Sequence, residues 1–138
     1  MKRIQDFFTI YKQSAWEKDA ESMMQLYDDN AVIFDMWMQG YQKGLASWSL
    51  SIKEWLGSLG DEKVNAAFEM TEIHEDGNTG FASALVTYQA IATNNDIVRS
   101  MKNRITLGFI KKNDSWKVIH QHTSAPIDSN LDAILDFP

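Results

Sequence analysis

RITLGFIKKNDSWKVIHQHTSAP, residues 104–126, alternates apolar and polar side chains on both sides of a turn at Lys112-Asn113-Asp114. Period-two alternation marks a half-buried strand, and Asn and Asp favour the tight turns that join antiparallel neighbours. The stretch therefore predicts two long strands, Ile97 to Lys111 and Ser115 to Ala125, folded back on one another. Pro126 cannot donate a ladder hydrogen bond and ends the second.

The same texture extends upstream to Val64. Val64 to Glu75 and Thr79 to Thr93 read as strands, joined by Asp76-Gly77-Asn78, a strong hairpin signal, and Asn94-Asn95-Asp96 turns the second toward Ile97. Four strands thus run as a meander.

Before Val64 the period changes to that of helices. Ile4, Phe7, Phe8, Tyr11, Ala15 and Trp16 recur at spacings of three and four. Asp19 is placed to cap a second helix carrying Met23, Met24, Leu26 and Tyr27, which Asp28-Asp29-Asn30 ends. Residues 31–37, Ala31 to Trp37, read as a short buried strand. A third helix carries Leu45, Trp48, Ile52, Trp55, Leu56 and Leu59 on one face, and Gly57 and Gly60 mark its end. Helices followed by consecutive hairpins predict an α+β fold, with helices covering one face of a curled antiparallel sheet. The last residues, Ile127 to Pro138, read as a short tail whose leucines and isoleucines dock on the surface or on a partner.

Composition narrows the function. The 138 residues form one domain, 1–138, with no composition shift to divide it. There is no cysteine, which excludes disulfides and thiolate metal sites. The net charge of −6 is scattered, so a phosphate backbone is repelled and no nucleic-acid partner is expected. Gln5 and Asp6 interrupt the N-terminus too early for a signal peptide, and no apolar run could span a membrane, so the expected location is cytoplasmic. No Gly-rich phosphate loop, G-x-S-x-G elbow or His-rich metal motif occurs, and no cofactor or metal is expected.

Two local patterns, in this element order, carry a resemblance. One is Trp16-x-x-Asp19 leading through Leu26-Tyr27-Asp28-Asp29 to Val32-Ile33-Phe34-Asp35. The other is Arg104-Ile105-Thr106 followed by Trp116 to Pro126. Together they resemble SnoaL-like domains of the nuclear-transport-factor-2-like (NTF2-like) superfamily, which includes ketosteroid isomerase and polyketide cyclases. The resemblance implies a cone-shaped, cystatin-like fold: three N-terminal helices packed into a strongly curved antiparallel sheet, with a cavity open at one end. It also implies a homodimer through the sheet. The scaffold hosts isomerases, cyclases, dehydratases and members without an established activity, so a small-molecule pocket follows more firmly than a reaction.

Strand alternation puts Arg104 and Thr106 on one face and Ile105, Leu107 and Phe109 on the other. The resemblance turns the arginine inward, where it could anchor a ligand carboxylate or an oxyanion. Ile105, Leu107 and Phe109 would then form an outward apolar row, the dimer contact. The competing reading is a surface Arg104 with that row in the core. His120 and His122 fall on the face of Trp116, Val118 and Ser124, read as internal; His122, nearer the strand end, is the acid/base candidate. Asp35, walled by apolar neighbours, is either a desolvated general base or the ion-pair partner of Arg104. Asp35, His122 and Arg104 are thus the candidate catalytic set. His120 and Ser124 are candidate lining. Trp16, Trp48 and Trp55 sit at helical core spacing and serve a pocket only as walls, while Tyr27, Trp37 and Tyr88 supply apolar walls with polar tips. The expected function is acid/base proton transfer without a cofactor, or else binding or oligomerisation alone.

Overall fold

The computed structural model of the chain describes every residue except Met38 and Gln39. Among the described residues, three helices, α1 (Asp6–Glu17), α2 (Ala20–Met24) and α3 (Leu45–Gly57), accompany six strands. These are β1 (Tyr27–Phe34), β2 (Gln42–Lys43), β3 (Lys63–Asp76), β4 (Thr79–Ile91), β5 (Ile97–Lys112) and β6 (Ser115–Ser124). They form one curved, unclosed sheet in the order β2-β1-β6-β5-β4-β3.

The meander forms as its turns dictate. Gly77 adopts φ 61°, and Asn113 and Asp114 adopt φ 52° and 61°, the left-handed geometry that matches a hairpin to strand twist. Asp19 caps α2 through its side chain, which accepts from the Ser22 N–H at 3.1 Å. That helix is a single short turn, so α1 and α3 are the helices of any length.

Two features depart from expectation. The sheet is mixed, because β1 runs parallel to β6 while the other pairs are antiparallel. β1 also starts at Tyr27, not Ala31. Asp28, Asn30 and their neighbours, expected as a turn, form an irregular insertion in that strand: Tyr27 pairs with Val118 but Val32 with His120. The tail docks on the sheet, with the Lys102 N–H donating to the Leu135 carbonyl at 2.8 Å and the Lys102 ammonium 5.3 Å from the Phe137 ring.

The core lies between the helices and one face of the sheet. Phe7 of α1 packs edge-on against Phe109 and Tyr27, and Phe8 against Phe68. Ile105, Leu107 and Phe109 point into this core and are 1%, 0% and 2% exposed. The expected outward apolar row is therefore buried and cannot be a dimer contact. Arg104, on the alternate face, is exposed and donates through Nε to the Ser124 hydroxyl at 3.1 Å. The inward Arg104 is overturned by the same alternation that buries its neighbours. Among the described residues no helix is long and apolar enough to cross a membrane.

Candidate functional site

The last strand is where side-chain placement changes. Phe109 pairs with Val118 but Gly108 with His120, so Ile119 is an extra residue, a β-bulge. Before it, Trp116 and Val118 face the core; after it, Gln121 and Thr123 do, at 3% and 6% exposure. The bulge thus moves His120, His122 and Ser124 to the outer face, where His122 is exposed. The expectation that the histidines share the face of Trp116 and Val118 fails for this reason. His120 shares a hydrogen bond with the Val32 carbonyl at 2.8 Å, and the Phe34 ring lies edge-on to both imidazoles at 4.8 and 5.6 Å. Among the described residues no cluster of three potential metal ligands forms.

On the inner face the polar groups are paired with unusual economy. The Tyr27 hydroxyl donates to Gln121 Oε1 at 2.6 Å, and the hydroxyls of Tyr11 and Tyr88 are 2.9 Å apart. Trp55 stacks on Tyr11 and meets Tyr88 edge-on, and Trp48 meets Tyr27 edge-on. Among the described residues the buried Asn103 Oδ1 has no partner, while Trp48 Nε1 lies beside the Tyr27 hydroxyl without a well-formed hydrogen bond. Asn103 is 3% exposed, and its other amide end faces only the Met36 sulfur, at 3.4 Å. Whichever way the amide is turned, one polar end stays unsatisfied.

Asp35 sits where β1 leaves the sheet, at the edge of this polar interior. Thr123 Oγ1 lies 3.2 Å from Asp35 Oδ1 and 3.0 Å from the Met36 amide nitrogen. Burial pushes the Asp35 carboxyl above its ordinary range, against the pull of Thr123 and of the Trp37 and Met36 N–H groups. None of the ion pairs among the described residues involves Asp35, so the alternative of an Asp35–Arg104 pair falls away. The carboxylate also reaches the tyrosines. Burial, reinforced by the charge of Asp35, raises Tyr11 and Tyr27 far above the usual phenol range and pushes Tyr88 up to about 12.

Asp35 opens to the surface through a cavity of about 320 Å³, lined by Phe34, Met36, His122, Thr123 and the tail residue Ile127 among others. Asp35 and His122 are therefore brought to one cavity, from opposite faces of the sheet, and Ser124 lines it too. A larger groove of about 520 Å³ beside α1 contains Lys12, Trp16 and Asn65. Its lining includes no carboxylate or imidazole among the described residues. Trp16 is 39% exposed under the Lys63 ammonium, and Trp37 is 48% exposed; neither joins the inner tyrosines. Tyr27, Tyr88, Trp48 and Trp55 do. Tyr11, Asn103, Gln121 and Thr123 were not singled out as site residues from sequence. Only Tyr11 offered a signal: a tyrosine on an apolar helical stripe needs an internal partner for its hydroxyl.

The family model for the SnoaL-like domain matches residues 4–128. No curated protein matches the sequence significantly. Among solved structures, an NTF2-like protein of unknown function from Pseudomonas putida KT2440 superposes with a TM-score of 0.85 at 22% identity, over 98% of this chain and 93% of its own. An NTF2-like superfamily protein from Salmonella enterica gives 0.71 at 20% identity, over 91% and 90% of the two chains. A protein of unknown function with a cystatin-like fold from Nostoc punctiforme gives 0.71 at 14% identity, over 87% and 86%. At these identities the structures speak for the fold alone, an NTF2-like fold, whereas the family model covers most of the sequence: this chain belongs to the SnoaL-like domain family.

Proposed function

We propose that this protein is a cofactor-independent enzyme of isomerase, cyclase or dehydratase type, in which Asp35 moves a proton on a small organic substrate. The observation that carries the reading is a half-buried carboxylate with a raised pKa, no ion-pair partner and a cavity in front of it. Desolvation makes a carboxylate a stronger base, bringing it toward the pH at which it must work.

Proton abstraction beside a carbonyl creates an oxyanion. Tyr11, Tyr27 and Tyr88, which sit on the inner face and not in the lining of the cavity before Asp35, serve it only where a substrate reaches inward past that lining. Their raised pKa values keep them protonated, hence donors, at any physiological pH. Tyr11 and Tyr88 have two hydroxyl protons and one bond between them, which leaves one proton of the pair uncommitted. This replaces the role expected of Arg104. With Arg104 on the outer face and Asp35 negative, an uncharged substrate fits better than the carboxylate first considered. His122, exposed, lines the same cavity.

A second reading, binding without chemistry, draws on the buried Asn103 Oδ1, which has no partner among the described residues and would accept from a polar ligand. One experiment separates the two. Enolisable and β,γ-unsaturated ketones incubated with the protein in D₂O should exchange the proton beside the carbonyl, followed by proton NMR. Asp35→Asn should slow that exchange by about 10²–10⁴-fold while leaving ligand-induced shifts in place. Carboxyl ¹³C titration should put the Asp35 midpoint above 3.8. A midpoint at or below that value, with exchange indifferent to Asp35→Asn, would leave binding as the function.

A further inference from the structure

Thr123 is nine-tenths buried on the inner face of β6, and its hydroxyl touches two groups with opposite demands. The Met36 backbone nitrogen, 3.0 Å away, carries an N–H and can only donate. Thr123 Oγ1 is therefore the acceptor in that bond. A hydroxyl has one proton, and the remaining partner within reach is Asp35 Oδ1, at 3.2 Å. The amide thus dictates the direction of the hydroxyl, and the hydroxyl aims its proton at the carboxylate. Threonine strengthens the arrangement, because branching at Cβ restricts χ1.

We infer that Thr123 is the positioning residue for Asp35: its hydroxyl ties down Oδ1 and leaves Oδ2 as the oxygen that takes a proton from a substrate. The inference rests on the reading of Asp35 as the base. It adds a division of labour within one carboxyl group. When Oδ2 gains the substrate proton, Oδ1 becomes the carbonyl oxygen and still accepts from Thr123, so the side chain holds its orientation through the transfer. The proton count balances without any movement of the hydroxyl proton. The same bond favours the ionised form and so opposes the desolvation that burial imposes. Neither Trp116 nor Val118 could supply it, and it exists because the bulge at Ile119 turns Thr123 inward.

The test is a carboxyl ¹³C titration of Asp35 in the unliganded protein, in the wild type, Thr123→Val and Thr123→Ser. Thr123→Val keeps the shape and removes the hydroxyl; its Asp35 midpoint should rise by about one pH unit, the scale of a lost hydrogen bond to a charged group. Thr123→Ser restores the hydroxyl and should return the midpoint to within about a third of a unit of wild type. A purely structural threonine would not show that rescue. Coincident titrations in wild type and Thr123→Val overturn the inference, whereas a wild-type midpoint at or below 3.8 overturns the reading of Asp35 as base. If Thr123→Val does not fold, the wild type alone decides. The Thr123 hydroxyl proton should be protected from exchange and its shift should follow the Asp35 titration. A rapidly exchanging or indifferent proton sinks the inference.

Discussion

The two faces of β6 carry residues of similar polarity and opposite circumstance. On the inner face, Gln121 and Thr123 are buried and each is engaged by a named partner, Tyr27 and Asp35. On the outer face, His120, His122 and Ser124 meet aromatic edges, a backbone carbonyl and the Arg104 side chain, with His122 in solvent. Imidazole is the side chain chemistry most often borrows near neutral pH, yet here it sits outside while an acid and three phenols occupy the interior. Residue type alone does not say which side chains share an environment; the face does.

The comparison breaks most visibly in the core behind β5. Phe109→Ala should cost about 3–5 kcal/mol in urea unfolding, because the ring fills space between α1 and the sheet. Had the apolar row faced outward, the cost would be small and the loss would fall on self-association.

A smaller effect separates two carboxylates at the ends of β1. Asp28, 8% exposed, is charged the largest cost by burial, but the Asn30 N–H and Lys112 together hold its carboxyl below the ordinary 3.8. A depressed carboxyl stabilises the fold above its unfolded value and ceases to as pH falls through the folded one. Asp28→Asn should therefore cost about 1–2 kcal/mol at pH 7, and the deficit should close in acid. Asp35 has the opposite sign. Its folded form binds a proton more readily than the unfolded chain, so its contribution falls as pH rises from 3.8 through its raised midpoint. Asp35→Asn should leave the protein at least as stable at pH 7 and show no advantage at pH 3. Paired unfolding curves at the two pH values read both.

Least of all should change on the outer face. Arg104→Ala should alter stability by no more than about 0.5 kcal/mol and leave the Asp35 titration where it was. A large effect on either would return Arg104 to the site.

The helices, the meander and its turns were legible in the sequence because their signals are local: a period, a cap, an Asp-Gly or Asn-Asp turn. Tyr27, Tyr88 and Asp35 were legible as candidates because polar tips on buried elements stand out. What could not be read was phase. Residues 120–124 are polar at every position, so alternation offers no preference for either face, and a bulge leaves no mark in composition. The pairing of β1 with β6, and hence the meeting of Asp35 with Thr123, is a contact between residues 88 apart that no local pattern encodes.

The extra residue at Ile119 has a bearing on how relatives of this protein are to be matched. The strand holds two side-chain lists, one at odd positions and one at even, and a gain or loss of one residue exchanges them without altering a single letter. Positions counted forward from Trp116 and positions counted backward from Pro126 then disagree about which residue faces the interior. For the chemistry beside Asp35, the count from Pro126 is the one to keep.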